Sequence, residues 1–325
     1  MSWLGGIGAV AGRKPILASG DASFRRYFRL QGSGESFIVM DAPPAQEDCL
    51  PFMRIAGYLE AMQLNAPRIL EADPERGFLL LTDLGTTQYL DVLISNPQNA
   101  PAMYADALTA LARLQRRGAA YQALLPPYDE ELLRSELSLF HDWLCGTHLG
   151  IEFDADEEMT WQEVCTLLVK NALDQPQVFV HRDYHSRNLM VTASKNPGIL
   201  DFQDAVEGPL TYDLVSLLKD CYIRWPAEQL QGWMLDFYAG LDESTRELVD
   251  REQFTREFEL MGVQRHLKAA GIFARLNHRD GKPDYLHDIP RTLRYVVELL
   301  PRHAELEFLV TLIHERCLPM LEDKR

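Results

Sequence analysis

Apolar residues in the first quarter of the chain fall into short runs cut by polar turns, the period-two signature of half-buried strands. Residues 16–18 and 25–30 are two such runs, on either side of the turn Ser19-Gly20-Asp21-Ala22-Ser23. Residues 37–41 make a third, stopped by Pro43-Pro44, because proline cannot donate to a ladder. The period then changes. Phe52, Ile55, Ala56, Leu59 and Met62 recur at helical spacing, with Pro51 in the first turn, where its missing N–H costs nothing. Residues 68–71 and 77–82 read as two more strands, and Asp83-Leu84-Gly85 breaks the pattern.

From Thr87 onward helical spacing dominates. Tyr104, Leu108, Leu111 and Leu114 mark one apolar stripe, and residues 132–144 and 161–173 carry two more. Residues 177–204 interrupt this region; helices resume at Tyr212, and patterned segments continue to Leu321. The pattern predicts an α+β protein. A small β-rich lobe with one helix spans residues 1–82, a larger, mainly helical lobe spans residues 83–325, and the chemistry sits where they meet.

Composition narrows the class. With 325 residues, 46% hydrophobic and 25% charged, the chain is an ordinary globular protein with a sizeable core. No run approaches the ~18 apolar residues of a membrane helix, and MSWLGGIGAVAGRK lacks the basic leading region of a secretory signal. Five dispersed cysteines, without a C-x-x-C pair, point to free thiols in the cytoplasm. A net charge of −16 repels nucleic acid and anionic lipid, so neither is an expected partner, and no obligate protein partner is evident.

The interruption in the helical region holds the chemistry. VHRDYHSRNLMV, residues 180–191, sets His181, Asp183 and Asn188 in the pattern H-x-D-x-x-x-x-N, and thirteen residues after Asn188 comes Asp201. Phosphoryl transfer asks little covalent chemistry of a protein and rests on positioning and charge neutralisation. Asp183 suits the carboxylate that orients or accepts the proton of an attacking hydroxyl. The Asn188 amide oxygen and the Asp201 carboxylate are hard donors of the kind Mg²⁺ takes beside phosphate and water. Residues 188–191 and 198–201 read as two strands joined by a polar turn, which brings Asn188 and Asp201 together. Any one of these residues alone would be an ordinary turn or cap; the set at fixed offsets is specific.

HRDYHSRNLM and ILDFQDA resemble the catalytic loop and metal-aspartate segment of the aminoglycoside phosphotransferase-like branch of the protein-kinase fold. GPLTYDLVSLL, residues 208–218, is similar to the helix start that follows in that family, where Asp213 would cap the helix and brace the catalytic loop. SGDASFRRYFRL resembles its phosphate-covering loop, and FLLLTDLG its inter-lobe hinge. The resemblance covers nearly the whole chain. It implies ATP and Mg²⁺, with Asp183 as catalytic base and Asn188 and Asp201 as metal ligands. Nucleotide contacts would come from Gly20, Asp21, Ser23, Arg26, Thr82, Asp83 and Leu84.

Within that branch, GDASFRRYFRL, VMDAPP, TDLG and residues 264–296 are similar to bacterial amino-sugar kinases of cell-wall recycling. Those kinases phosphorylate the C1 hydroxyl of N-acetylmuramate and N-acetylglucosamine, which implies a small amino sugar as acceptor. An anomeric hydroxyl is more acidic than an ordinary alcohol, so a modest carboxylate base suffices. Asp183, His185, Arg187, Gln203 and Asp204 would then face the sugar.

Two departures stand out. The phosphate loop holds Gly20 as its single glycine, and the strand Phe37-Ile38-Val39-Met40-Asp41 lacks the lysine that kinases pair with a helix glutamate. Arg25, Arg26 and Arg29 are candidate replacements, and Glu47 is placed to begin the helix. Residues 264–294 concentrate Arg265, His266, Lys268, Arg275, His278, Arg279, Lys282, Arg291 and Arg294. That run either receives an anionic acceptor group or pairs with the acidic helices. Tyr222, Trp225 and Trp233 either stack on a sugar or pack in the core. Other acceptors (choline, homoserine, an aminoglycoside) and a non-catalytic pseudokinase are the alternatives; the absent lysine favours the last, and the intact Asp183, Asn188 and Asp201 oppose it.

Overall fold

The computed structural model describes all residues except 1, 2, 9, 11, 21–23, 33, 300, 324 and 325. Strands β1 (Pro15–Gly20), β2 (Arg26–Leu30) and β3 (Phe37–Asp41) precede helix α1 (Cys49–Ala61), and β4 (Ile69–Asp73) and β5 (Phe78–Thr82) follow it. The five strands form one antiparallel sheet in the order β1-β2-β3-β5-β4. Alternation sets its two faces. Met40, Leu79 and Leu81 pack with Phe52, Ile55 and Leu59 of α1, whereas Leu30, Phe37, Val39 and Leu80 face Leu4 and Val10 on the outer side. Asp48 caps α1 by accepting the Leu50 N–H at 2.8 Å, so Glu47 lies just ahead of the helix and not within it.

The helical part begins with α2 (Tyr89–Ser95), α3 (Ala100–Gly118), α4 (Glu130–Leu139) and α5 (Ala155–Asp174). Residues 132–144 are expected as one α-helix; α4 instead widens at Phe140 into a π-helix, Phe140–Leu149. The change falls where the longest helix presses on the chain: a Cβ on Gly271 would stand 2.3 Å from the Leu139 carbonyl carbon. Apolar spacing does not distinguish the two windings. After α5 come the short strands β6 (Gln177–Val180), β7 (Leu189–Met190), β8 (Gly198–Ile199) and β9 (Val206–Pro209), pairing β6 with β9 and β7 with β8. β9 carries glycine and proline, both breakers by composition, and is held extended by its partner.

Helices α6 (Tyr212–Leu218), α7 (Ala227–Ala239), α8 (Glu243–Leu248), α9 (Arg251–Asp280) and α10 (Ile289–Val297) complete the part that matters for the site. The 30-residue α9 packs against α4 and its π-helical extension, α5, α6 and α10. One hydrophobic core runs from the sheet through α1 into these helices. Its crossing point is Phe52 of α1 against Phe202, ring centroids 4.7 Å apart. The residue after Asp201 therefore fixes the sheet relative to the loops below it. Cys49, Cys145, Cys165, Cys221 and Cys317 are free and buried. No helix among the described residues is long and apolar enough to cross a membrane.

Candidate active site

The catalytic loop leaves β6 at Val180 and is pinned by two aspartates on either side of α6. Asp213, fully buried in the first turn of α6, accepts the His181 N–H at 2.6 Å and the Arg182 N–H at 3.0 Å. It braces the loop but does not cap the helix, whose N-cap position is Thr211. Burial pushes the Asp213 carboxyl up to about 7 against these two donors. Asp220, just past the end of α6, holds the other half of the loop: it accepts the Ser186 N–H at 3.0 Å, the Ser186 hydroxyl at 2.5 Å and the Tyr222 N–H at 2.9 Å. Asp220 is not among the residues the motif singles out. Its signal is its spacing, two helical turns after Asp213.

Arg182 has φ +77°, a conformation unfavourable for a side chain with a Cβ. The Asp213 bonds hold that backbone, and the guanidinium hydrogen-bonds to buried Glu136. Glu136 also takes Lys268 Nζ at 2.8 Å and the Tyr128 hydroxyl, so Arg182 belongs to a buried cluster of opposite charges. His181 accepts the Asp183 N–H on Nδ1 at 3.2 Å. Burial lowers its pKa to about 4, which leaves the imidazole neutral.

Of the expected trio, Asn188 and Asp201 meet through their side chains, and Asp183 joins them through its backbone. Asn188 Nδ2 donates to the Asp183 backbone carbonyl at 3.0 Å and to Asp201 Oδ2 at 3.3 Å. The β7–β8 hairpin, with the Leu200 N–H bonded to the Asn188 carbonyl at 2.9 Å, fixes that approach. Asp201, two residues past β8, has φ +59°. Gln203 Nε2 bridges Asp201 Oδ1 at 3.0 Å and Asp204 Oδ2 at 2.9 Å. Burial alone would raise the Asp183 pKa, but the charges of Lys268, Arg265 and Arg182 outweigh it and hold the carboxyl below the usual range. An ionised Asp183 can receive a proton. Among the described residues no three His, Cys, Asp or Glu side chains gather as a metal cage. Mg²⁺ needs none, since one or two protein oxygens beside phosphate and water suffice, and the Asn188 and Asp201 oxygens fit that role.

Between the sheet and this hairpin lies a cleft of about 600 Å³. Tyr27, Ile38 and Leu81 wall it above, Met190 and Asp201 below, and Thr82, Asp83 and Leu84 behind. Thr82 is tied to β4, its Oγ1 accepting the Arg68 N–H at 2.9 Å. The Asp83 carboxylate is fully engaged. It receives Arg29 Nε at 2.6 Å, Arg29 Nη2 at 3.1 Å, Ser36 Oγ at 2.7 Å and the Gly85 N–H at 2.9 Å, which leaves backbone groups to face the cleft.

Gly20 ends β1, paired with Arg26; Asp21 and Ser23 lie outside the described residues. The expectation for Arg26 needs correcting. Strand alternation turns it to the outer face of the sheet, where it is exposed, pairs with Asp41 and lies over Phe28. On the acceptor side, the Arg187 guanidinium lies 3.6 Å above the Tyr222 ring and reaches the cleft. His185 meets the edge of Tyr222 at 5.3 Å, and burial lowers its pKa. Trp225 and Trp233 pack on Tyr104 in the core. The basic run divides: Lys268 pairs with Glu136, Arg279 with Asp280, Arg291 with Asp288 and Arg294 with Glu322, while buried Arg265 lies beside Cys221, Asp183 and Asp220.

The model of the phosphotransferase enzyme family (APH) matches residues 16–248. An N-acetylmuramate/N-acetylglucosamine kinase of Pseudomonas putida is 50% identical over 299 residues, 92% of this chain and 87% of that protein. One of the same description from Neisseria meningitidis is 40% identical over 302 residues, 92% of this chain and 89% of its own. Among solved structures, a choline kinase of Streptococcus pneumoniae superposes with a TM-score of 0.61 at 12% identity, over 88% of this chain and 94% of that one. An ethanolamine kinase of Plasmodium vivax does so with 0.61 at 13%, over 90% and 84%. The distant structures share the fold, and the close relatives share the sequence along nearly its whole length. A family model over residues 16–248 and a relative 50% identical across 92% of the sequence settle the kinship: the chain belongs to the APH phosphotransferase enzyme family.

Proposed function

We propose that this protein transfers the γ-phosphoryl group of ATP, with Mg²⁺, to the C1 hydroxyl of N-acetylmuramate and N-acetylglucosamine. The observation that carries the reading is that Asn188 and Asp201, in mutual contact, line one cleft while Asn188 also holds the backbone of Asp183. The sheet lobe of residues 1–82 offers Ile38 and Leu81, and the lobe of residues 83–325 offers Met190, as apolar walls for a flat base. Thr82, Asp83 and Leu84 present backbone there. Asp183 orients the sugar hydroxyl and takes up its proton, and Asp213 and Asp220 keep its loop in place. Asn188 and Asp201 would hold the metal, which when bound would supply neutralisation of phosphate charge. The amino-sugar acceptor is supported by the descriptions of relatives 50% and 40% identical to this chain. Arg182, Arg265 and Lys268 around the base oppose a cationic acceptor such as choline. A reaction that draws on ATP belongs in the cytoplasm.

The test is ADP release with Mg²⁺-ATP across N-acetylmuramate, N-acetylglucosamine, choline, homoserine and an aminoglycoside. Turnover is expected with the two acetylated sugars, and phosphorus NMR of the product should show a phosphate on C1. Asp183→Ala should lower kcat by roughly 10²–10⁴-fold, the range for a positioned base. A response to choline alone, or a product phosphorylated on another hydroxyl, would overturn the corresponding part of the reading.

A further inference from the structure

Strand β3 offers Met40 and Asp41 where phosphoryl-transfer sites of this architecture carry a lysine paired to a helix glutamate. Three arginines lie on or beside the neighbouring strand, and the structure separates them. Arg26 faces outward and pairs with Asp41. Arg29 is fastened to Asp83 and to the Gly85 carbonyl, 2.7 Å away, at the back of the cleft. Arg25 turns inward and is only 9% exposed. One residue ahead of β2, it continues the alternation that puts Tyr27 and Arg29 on the cleft face, next to the residues of that strand that line the cleft but not itself among them.

The surroundings of Arg25 are acidic. It lies in the field of Asp201, Glu47 and Asp204, with its Nε 3.8 Å from Glu47 Oε2. The other Glu47 oxygen accepts the Phe24 N–H at 3.1 Å. Glu47 thereby joins the cation to Phe24 and to the start of α1, whose cap is the next residue. A guanidinium stays charged when buried and can grip two phosphate oxygens at once, which a lysine cannot. Asp201 would hold a metal that neutralises phosphate charge, and a cation in the field of Asp201 would act on the same phosphates.

We infer that Arg25, anchored by Glu47, is the phosphate-gripping cation of the nucleotide site and takes the place of the absent strand lysine. The inference rests on the ATP reading above and sharpens it. Calorimetric titration of the protein with adenosine, ADP and ATP, each with Mg²⁺, tests it without turnover. Arg25→Ala should weaken ADP and ATP by roughly 10- to 100-fold, as expected for a lost charge-assisted pair, and leave adenosine within about twofold. Arg25→Lys keeps charge without the fork and should fall between. Glu47→Gln should show a smaller loss with the same selectivity, and it serves if Arg25→Ala fails to fold. Arg26→Ala should change none of the three affinities. Equal weakening of adenosine and ATP, or unchanged ATP binding in both Arg25→Ala and Glu47→Gln, would overturn the role of Arg25. A wild-type protein that binds adenosine but gains nothing from phosphates, or binds no nucleotide, would overturn the ATP reading as well.

Discussion

At the scale of single residues, the proposed base is set by its neighbours more than by its own chemistry. Burial favours a protonated Asp183, and the nearby cations reverse that preference, Lys268 the foremost among them. Lys268 is itself held charged by Glu136 and hydrogen-bonds the Tyr212 hydroxyl at 2.9 Å. Removing that charge should let burial win back ground. Lys268→Gln is therefore expected to move the acid limb of the kcat/KM profile to higher pH, because more acid-resistant ionisation of Asp183 is what the lysine supplies. The profile, not the rate at one pH, is the measurement, since a general loss of packing would lower activity without moving the limb. An unmoved limb would mean that Lys268 does not set the charge state of the base.

At the scale of elements, α6 acts as a bracket for the catalytic loop. Asp213 at its start holds the His181–Arg182 end, and Asp220 past its end holds Ser186. Asp220→Asn would turn an NH₂ group toward either the Ser186 donors or the Tyr222 N–H, leaving a buried donor unmatched. The expected cost is about 1–3 kcal/mol in denaturant unfolding, with a fall in kcat larger than the change in KM for ATP, because the nucleotide walls lie elsewhere. Much of this architecture was legible. Alternating Phe37 to Asp41 and helical Phe52 to Met62 announce sheet and α1, and the offsets from His181 to Asp201 announce the hairpin that joins Asn188 to Asp201. The rest depends on contacts between segments distant in sequence. The switch to a π-helix at Phe140 falls where Gly271 of α9 approaches Leu139, and β9 is held extended by its pairing with β6. Which of three adjacent arginines turns inward is decided by the register of β2 against β3 and β1, and a one-residue slip would exchange Arg25 with Arg26.

Across the whole molecule, the same helices that form the core also bury ionisable groups, and this couples stability to pH. His266 of α9 stacks on Tyr295, ring centroids 4.8 Å apart, and its Nε2–H donates to the Lys219 carbonyl at 2.9 Å. Burial lowers its pKa to about 3, and that of His181 to about 4. Both values lie below the ordinary 6.5 of an unfolded histidine, so between pH 6.5 and about 4 the unfolded chain binds protons that the folded chain does not. Stability contributed by the two neutral histidines is thus present above pH 6.5 and lost as pH falls through that window. Asp213 works the other way: its carboxyl is raised to about 7, so its contribution is greatest in acid and declines as pH rises from 3.8. The two effects overlap, and only a comparison at one site separates them. His266→Gln keeps an N–H donor for the Lys219 carbonyl but cannot titrate. Its unfolding free energy, measured in urea from pH 7 to pH 4.5, should fall less steeply with acid than that of the wild type. The slopes should differ by up to one proton, about 1.4 kcal/mol per pH unit. Slopes remain comparable even if the variant is less stable throughout, and parallel curves would show that His266 titrates in the folded protein as freely as in the unfolded chain.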